Sequence, residues 1–260
     1  MYKLDEFLAI LEEFAPLEYS QKMIEKGAYD NSGIILKSHD KIEKVLFSLD
    51  LNLDVYNRAE ELSCDTIVTH HPAIYNPISS LGNSSETLPI LTCAKNGINV
   101  ISMHLNLDVS KGGIDEELAK FLTANDVKII DEIFEGVGYG REFNIKQIDI
   151  KDYAKKIEES FSSNKILFYG SGKVNTVASF CGSGGSDAVK YATNGGIADT
   201  IVTSDIPHHH LLSLINSGKK VIVIPHYVAE NIGFIKFYEK IKERLNKDTL
   251  AYYFTDKRFI

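Results

Sequence analysis

The chain has 260 residues, 44% apolar, 25% charged and 10% aromatic, which places it among ordinary globular proteins with enough length to bury a core without disulfide staples. Its net charge of −8, from 36 acidic and 28 basic residues, disfavours non-specific binding to nucleic acid or to an anionic membrane surface and leaves room for a small phosphorylated ligand. No apolar stretch approaches the ~20 residues needed to span a bilayer, and Cys64, Cys93 and Cys181, far apart and without a C-x-x-C pair, suggest neither a disulfide framework nor a thiolate metal site, so a reducing cytoplasm is the default location.

In chain order, Leu4, Phe7, Leu8, Leu11 and Phe14 follow a helical i, i+3, i+4, i+7 rhythm with Pro16 as a stop signal. Acids inside this apolar stretch distinguish it from a secretory leader. From Gly33 onward short β-branched or apolar runs alternate with helical stretches: GIILK, KVLFSLD, a helix over 53–63, DTIVT, a helix over 87–96 closed by Gly97, INVISMH and a helix over 113–123. DVKIIDEIF and, after a glycine cluster, REFNIKQIDI form a connecting β-rich passage. The alternation then resumes with a helix near 151–162, NKILFYG, VNTVASF, a helix over 186–194, a second DTIVT, a helix over 207–217 closed by Gly218, KVIVIPH, a helix over 227–246 and the strand LAYYFT. Such alternation predicts βαβ units, in which helices cover a largely parallel sheet.

DTIVT occurs twice, at 65–69 and 199–203. Each copy follows a helical stretch, precedes a polar cluster (HHP or SDIPHHH), and is followed by a helix, a glycine and an apolar strand ending in histidine, His104 or His226. The repeat predicts an α/β fold of two structurally related halves with mixed, largely parallel sheets. Residues 1–125 form the first half, 126–164 a connecting β-rich segment and helix, and 165–260 the second half, which includes a C-terminal helix carrying candidate ligands.

In open α/β sheets ligands bind beyond the carboxyl ends of the strands, and seven of the eight histidines fall there: His70 and His71, His104, His208, His209 and His210, and His226. Acids stand beside them, Asp108 four residues after His104 and Glu230 four residues after His226. If HYVAE opens a helix, His226 and Glu230 share one face. Imidazoles gathered with carboxylates point to divalent metal, and this set exceeds what one tetrahedral zinc requires, so two ions are expected between the halves. Each piece has a plainer alternative. His70 and His71 can be a surface turn before Pro72, HLNLD a capped loop, Glu230 a partner of a helix dipole, and the 208–210 run a solvated face. CGSGGSD at 181–187 is expected to be a tight strand-to-helix turn, with a contribution to a ligand pocket as the alternative.

THHP at 69–72, HLNLDVSKGGIDEELA at 104–119, TSDIPHHH at 203–210 and HYVAE at 226–230 stand in an order and spacing that resembles the dinuclear-metal-centre family of GTP cyclohydrolase I type 2 homologues. The resemblance runs from YDNSGIILK at 29–37 to the C-terminal helix. It implies a two-half subunit, a toroidal homohexamer and a two-metal site facing an internal cavity. By motif match His70, His71, Asp108, His226 and Glu230 correspond to metal ligands, and His104, Asp205 and His209 to polar positions lining the same site. Thr203-Ser204-Asp205 replaces the family's usual T-G-D or T-G-E, and Val223-Ile224-Pro225 replaces its D-x-G before His226-Tyr227.

The first functional reading is a metal-dependent hydrolase on a nucleotide-like small molecule, with His104 or His209 transferring protons and two divalent ions per subunit (zinc, iron, manganese, cobalt or nickel) activating water. A non-catalytic protein that stores, delivers or senses metal and a metal-dependent phosphoesterase use the same ligands, so whether the chain is an enzyme stays open at this level. No membrane partner and no cofactor other than metal is expected.

Overall fold

The computed structural model describes residues 1–122, 125–161, 163 and 165–260. It divides the chain into two compact units, Met1–Ser110 with Phe234–Thr255, and Lys111–Gly233 with Asp256–Ile260. In chain order the elements are β1 (Tyr2–Lys3), α1 (Leu4–Glu12), α2 (Leu17–Glu25), β2 (Gly33–Leu36), β3 (Lys41–Ile42), β4 (Lys44–Ser48), α3 (Leu53–Glu61), β5 (Thr66–Thr69), α4 (Leu88–Lys95), β6 (Asn99–Ser102), α5 (Leu105–Val109), α6 (Ile114–Phe121), β7 (Asn125–Phe134), β8 (Val137–Asp149), α7 (Ile150–Phe161), β9 (Leu167–Tyr169), β10 (Lys173–Ser179), α8 (Gly185–Thr193), β11 (Thr200–Thr203), α9 (His208–Asn216), β12 (Lys220–Val223), α10 (His226–Arg244) and β13 (Leu250–Tyr253). Expected positions 123 and 162, at helix ends, and 164, at the start of NKILFYG, lie outside the described residues.

The first unit is built on a five-stranded sheet ordered β13-β4-β5-β6-β2, parallel except for β2, which runs antiparallel to β6 at the edge. Leu46, Ile67 and Val100 on one face pack with Val55, Tyr56 and Ala59 of α3 and Ile90 and Cys93 of α4. Phe47 meets Phe234, Phe237 and Tyr238 of α10, with ring centroids 6.2, 6.3 and 5.4 Å away. Covering both faces explains why these strands read as continuous apolar runs rather than as alternating ones.

The second unit has six strands ordered β7-β8-β10-β11-β12-β9, with β10, β11 and β12 parallel and the rest antiparallel. Ala178, Ile201 and Val221 pack with Ala188 of α8 and Leu211 and Leu214 of α9. The β7–β8 hairpin forms the far edge of this sheet.

The two DTIVT copies do the same structural work. Asp65 accepts the backbone N–H groups of Glu43 and Lys44 beside β4 (2.7 and 2.9 Å) and the Thr66 hydroxyl (2.8 Å). Asp199 accepts those of Asn175 and Thr176 on β10 (2.9 and 3.1 Å) and the Thr200 hydroxyl (2.6 Å). Each aspartate therefore pins the start of its central strand to the neighbouring parallel strand. The helix that follows each copy closes in the same 6→1 bond, Ile98 N–H to Cys93 O and Lys219 N–H to Leu214 O, both 3.0 Å, around Gly97 and Gly218.

Burial pushes the Asp199 carboxyl up, but hydrogen bonds from Thr200 and Thr176 and the adjacent Lys220 outweigh it and hold the group below its ordinary value. A depressed carboxylate contributes stability that is present above the unfolded value of about 3.9 and lost as pH falls through the folded one. Asp199→Asn is expected to cost about 1 kcal/mol at pH 7 through lost hydrogen bonds. In urea titrations the difference from the parent should shrink as pH falls below about 3.9, and a gap that grows with acidification would contradict this account.

The structure adds α2 and the two-residue strands β1 and β3 to the elements expected from the sequence, and it decides the form of HLNLD. The helix α2 begins just past Pro16, which is its N-cap as well as the expected stop for α1, and Ser20 is its only buried residue. HLNLD forms the short helix α5, which removes the capped-loop alternative, with Asp108 N–H donating to His104 O at 3.0 Å.

Candidate metal centre

In the first unit the turn after β5 is held rigidly. The backbone N–H groups of His70 and His71 both donate to Leu49 O (3.1 and 2.9 Å), and the Thr69 hydroxyl donates to His71 O (2.8 Å). His70 is fully buried, which removes the surface-turn alternative for it. Its Nδ1 donates to Met103 O at 2.8 Å, His71 Nδ1 to Asp50 Oδ1 at 2.7 Å, and His104 Nδ1 to Asp30 Oδ1 at 2.7 Å. An oxygen acceptor on Nδ1 fixes the tautomer and presents Nε2. The rings lie 4.9 Å (His70 to His71), 5.2 Å (His70 to His104) and 5.8 Å (His71 to His104) apart, and one ligand atom from each falls within 4.8 Å of the others. Asp108, 5% exposed on α5, brings Oδ1 to 3.5 Å from His70 Nε2.

In the second unit β11 ends at Thr203 and β12 at Val223, and the residues just beyond them meet. His226 Nδ1 donates to Asp205 Oδ2 at 2.7 Å, while its Nε2 lies 2.9 Å from Oε2 of Glu230, which is 2% exposed one turn along α10. Gly182 forms a wall of this pair. Its φ is +59°, and a Cβ there would stand 2.3 Å from Glu230 Oε1 and 3.5 Å from His226 Nε2. Only glycine combines that backbone with that approach, so CGSGGSD is both a tight turn and part of the site's lining.

These contacts are chemically specific. Once Nδ1 has donated its proton to oxygen, Nε2 of a neutral imidazole is a lone pair, and a carboxylate oxygen is another. His226 Nε2 facing Glu230, and His70 Nε2 facing Asp108, are acceptor–acceptor contacts that a shared proton or a cation must relieve. Imidazole with carboxylate suits divalent transition metals, so the residues present fit the expected ions.

Of the residues expected from sequence, His70, His71, His104 and Asp108 converge in the first unit, and His226, Glu230 and Asp205 in the second. His209 is exposed on the first turn of α9, its ring 4.2 Å from that of His210, and it belongs to none of the His/Asp/Glu clusters found among the described residues. Sequence reasoning missed Asp30 and Asp50, and placed Gly182 in a segment expected to be a tight turn, with a pocket contribution as the alternative. The signals of the two aspartates were weak: Asp30 lies in YDNSG before an edge strand, and Asp50 just past the end of β4. The three cysteines are buried, and burial pushes the Cys64 and Cys93 thiols up to about 11 and 12.

Asp30 also accepts from the hydroxyls of Ser20 and Ser32, and Ser32 Oγ accepts the His104 backbone N–H at 3.1 Å. Burial pushes the Asp30 carboxyl up, but the hydrogen bond and charge of His104 and the two serine hydroxyls hold it below its ordinary value. Asp50→Ala removes the acceptor that orients His71, one of the candidate ligands. It is expected to weaken metal binding 10- to 100-fold, the usual cost of losing a partner that orients a ligand, as read by competition with a chromogenic chelator; unchanged affinity would remove the His71–Asp50 pair from the site.

The family model described as Duf34/NIF3 (NGG1p interacting factor 3) matches residues 2–258. The chain belongs to the DUF34/NIF3 family. A relative named GTP cyclohydrolase 1 type 2 homolog, from Clostridium perfringens, is 30% identical over 95% of this chain and 94% of its own. Among solved structures, the Staphylococcus aureus hypothetical protein SA1388 superposes with a TM-score of 0.83 at 24% identity, covering 98% of this chain and 97% of that one. Reduced HcgD from Methanocaldococcus jannaschii superposes at 0.77 with 25% identity, covering 96% and 97%. Membership of the DUF34/NIF3 family agrees with the two-half α/β fold. Among the described residues no helix is long and apolar enough to cross a membrane.

Proposed function

We propose that the protein binds two divalent cations per subunit through His70, His71, Asp108, His226 and Glu230 and uses them to hydrolyse a nucleotide-like small molecule. The observation that carries this reading is the pairing of imidazole lone pairs with buried carboxylates, on rings whose other nitrogen is already held by oxygen. The relative's name, GTP cyclohydrolase 1 type 2 homolog, supports ring opening of GTP as the specific case. Divalent cations there supply Lewis-acid chemistry, polarising an electrophile and lowering the pKa of water. His104, oriented by Asp30, is the first candidate to carry protons, and His209 the second. A closed homohexamer is the proposed assembly, and light scattering should then give about six times the 29.0 kDa subunit mass.

One observation favours a second reading. The His104 ring is about as close to His70 as that of His71, so all three imidazoles can serve as ligands, as in a protein that stores or delivers metal without turnover. Elemental analysis of protein purified without added metal tests the cations. Turnover of the loaded protein over GTP, cyclic dinucleotides and phosphodiesters tests the chemistry. Cleavage of phosphodiesters alone would make it a phosphoesterase, and metal content near two per subunit with no turnover would select storage or delivery.

A further inference from the structure

Two large aromatic side chains remain exposed beside the histidine cluster of the first unit, Tyr29 at 48% and Tyr75 at 46%. They pack edge to face on each other, with centroids 5.1 Å apart and planes at 70°, and Tyr75 stands edge to face with His104 at 6.1 Å and 86°. Tyr29, Tyr75, His104 and His70 thus form a continuous run of rings leading to the cluster.

The tetrapeptide Tyr29-Asp30-Asn31-Ser32 builds this arrangement. Asp30 and Ser32 turn inward and hold the His104 ring and backbone. Tyr29 and Asn31 are exposed, and Asn31 Nδ2 donates at 2.7 Å to the carbonyl of Ile74, the residue before Tyr75. One short segment therefore orients a candidate ligand and ties down the loop that carries the second tyrosine. Exposed rings cost solvation, so two of them fixed side by side at the rim of a site call for a planar occupant.

We propose that Tyr29 and Tyr75 form an aromatic shelf that takes a planar conjugated ring bearing an oxyanion group, the ring against the tyrosines and the oxyanion toward the cation-binding histidines. The oxyanion half rests on the metal reading above; the ring half rests on the tyrosines alone. A nucleobase with its phosphates and a simple aryl phosphate share this chemistry.

The test uses the full-length, metal-loaded protein and two ligand pairs that differ by the ring: GTP against inorganic triphosphate, and phenyl phosphate against methyl phosphate. In the parent protein the ring-bearing member of at least one pair should bind about tenfold more tightly, the scale of a ring stacked on an aromatic side chain. Tyr75→Ala and Tyr29→Ala should bring that ratio toward one while leaving binding of the ringless member and metal content unchanged. Tyr75→Phe should keep it. Preference in the GTP pair alone identifies the nucleotide source, and preference in both identifies the ring as sufficient. A parent ratio near one in both pairs, or a ratio that survives the double alanine variant, overturns the shelf. Metal content is read on the same samples, so a metal-free protein that still prefers the ring and needs Tyr75 keeps the shelf and discards the metal reading.

Discussion

Stripping divalent cations from the loaded protein is expected to lower its stability by about 4 kcal/mol per ion, about 8 kcal/mol for two, when the ions are present at roughly a thousand times their dissociation constant, seen as a drop of roughly 20 °C in Tm for a chain of this size. Asp108 and Glu230 are almost fully buried carboxylates, each facing an imidazole Nε2, where a bound cation would offset the cost of burying charge. His70→Ala combined with His226→Ala should abolish the dependence on metal, leaving Tm insensitive to chelator. Acidification should act like chelation, because imidazolium does not bind metal. Free histidine titrates near ~6.5 and free carboxylate near ~4, so release is expected between roughly pH 6 and 4 in the presence of a weak chelator. Identical melting of loaded and stripped protein at pH 7.5, with occupancy confirmed, would mean that the ions are not coupled to folding.

The second large effect belongs to a buried ion pair in the second unit. Arg141, 2% exposed on β8, donates to Asp115 Oδ2 at 2.9 Å and to the carbonyls of Gly138 and Gly140 at 2.8 and 3.1 Å. Asp115, fully buried at the start of α6, also accepts the Cys181 backbone N–H at 3.2 Å, next to the Gly182 wall. Arg141→Met leaves the carboxylate buried and uncompensated, and the expected cost is about 3–5 kcal/mol. Burial already pushes the Asp115 pKa up against the pull of Arg141, and without the guanidinium it rises further. For an acid whose folded pKa exceeds the unfolded one, protonation favours the folded state, so the deficit should shrink as pH falls toward that raised value and be fully present well above it. Adding Asp115→Leu should restore most of the stability, since an apolar replacement of both partners is often neutral. Guanidinium titrations of the parent, single and double variants decide the matter; a single variant within 1 kcal/mol of the parent, on the ~3–5 kcal/mol scale expected, would show that the pair contributes little.

Much of the candidate site was legible because strand ends in βαβ units are where ligands gather, and the repeated DTIVT marks those ends twice. His70, His71, His104 and His226 follow from it directly, and the four-residue spacing of His226 and Glu230 becomes a shared face once α10 begins at His226. What the spacing left open was the partner of each ring. Asp50 lies 21 residues before His71 and Asp30 lies 74 before His104, distances over which no local periodicity carries information.

The sequence by itself determined most of the longer elements, the order in which they alternate, the repeat and the residue types at the strand ends, because apolar period, glycine stops and β-branched runs are local signals; α2, β1 and β3 carried no such signal. Tertiary structure alone decided that the 125–149 hairpin joins the second sheet, that Gly182 lines the Glu230 carboxylate, that residues Phe234–Thr255 are counted with the first unit, and which nitrogen each histidine presents. These are outcomes of long-range pairing and burial. A carboxylate or a carbonyl chooses its histidine only when folding removes water as the competing partner.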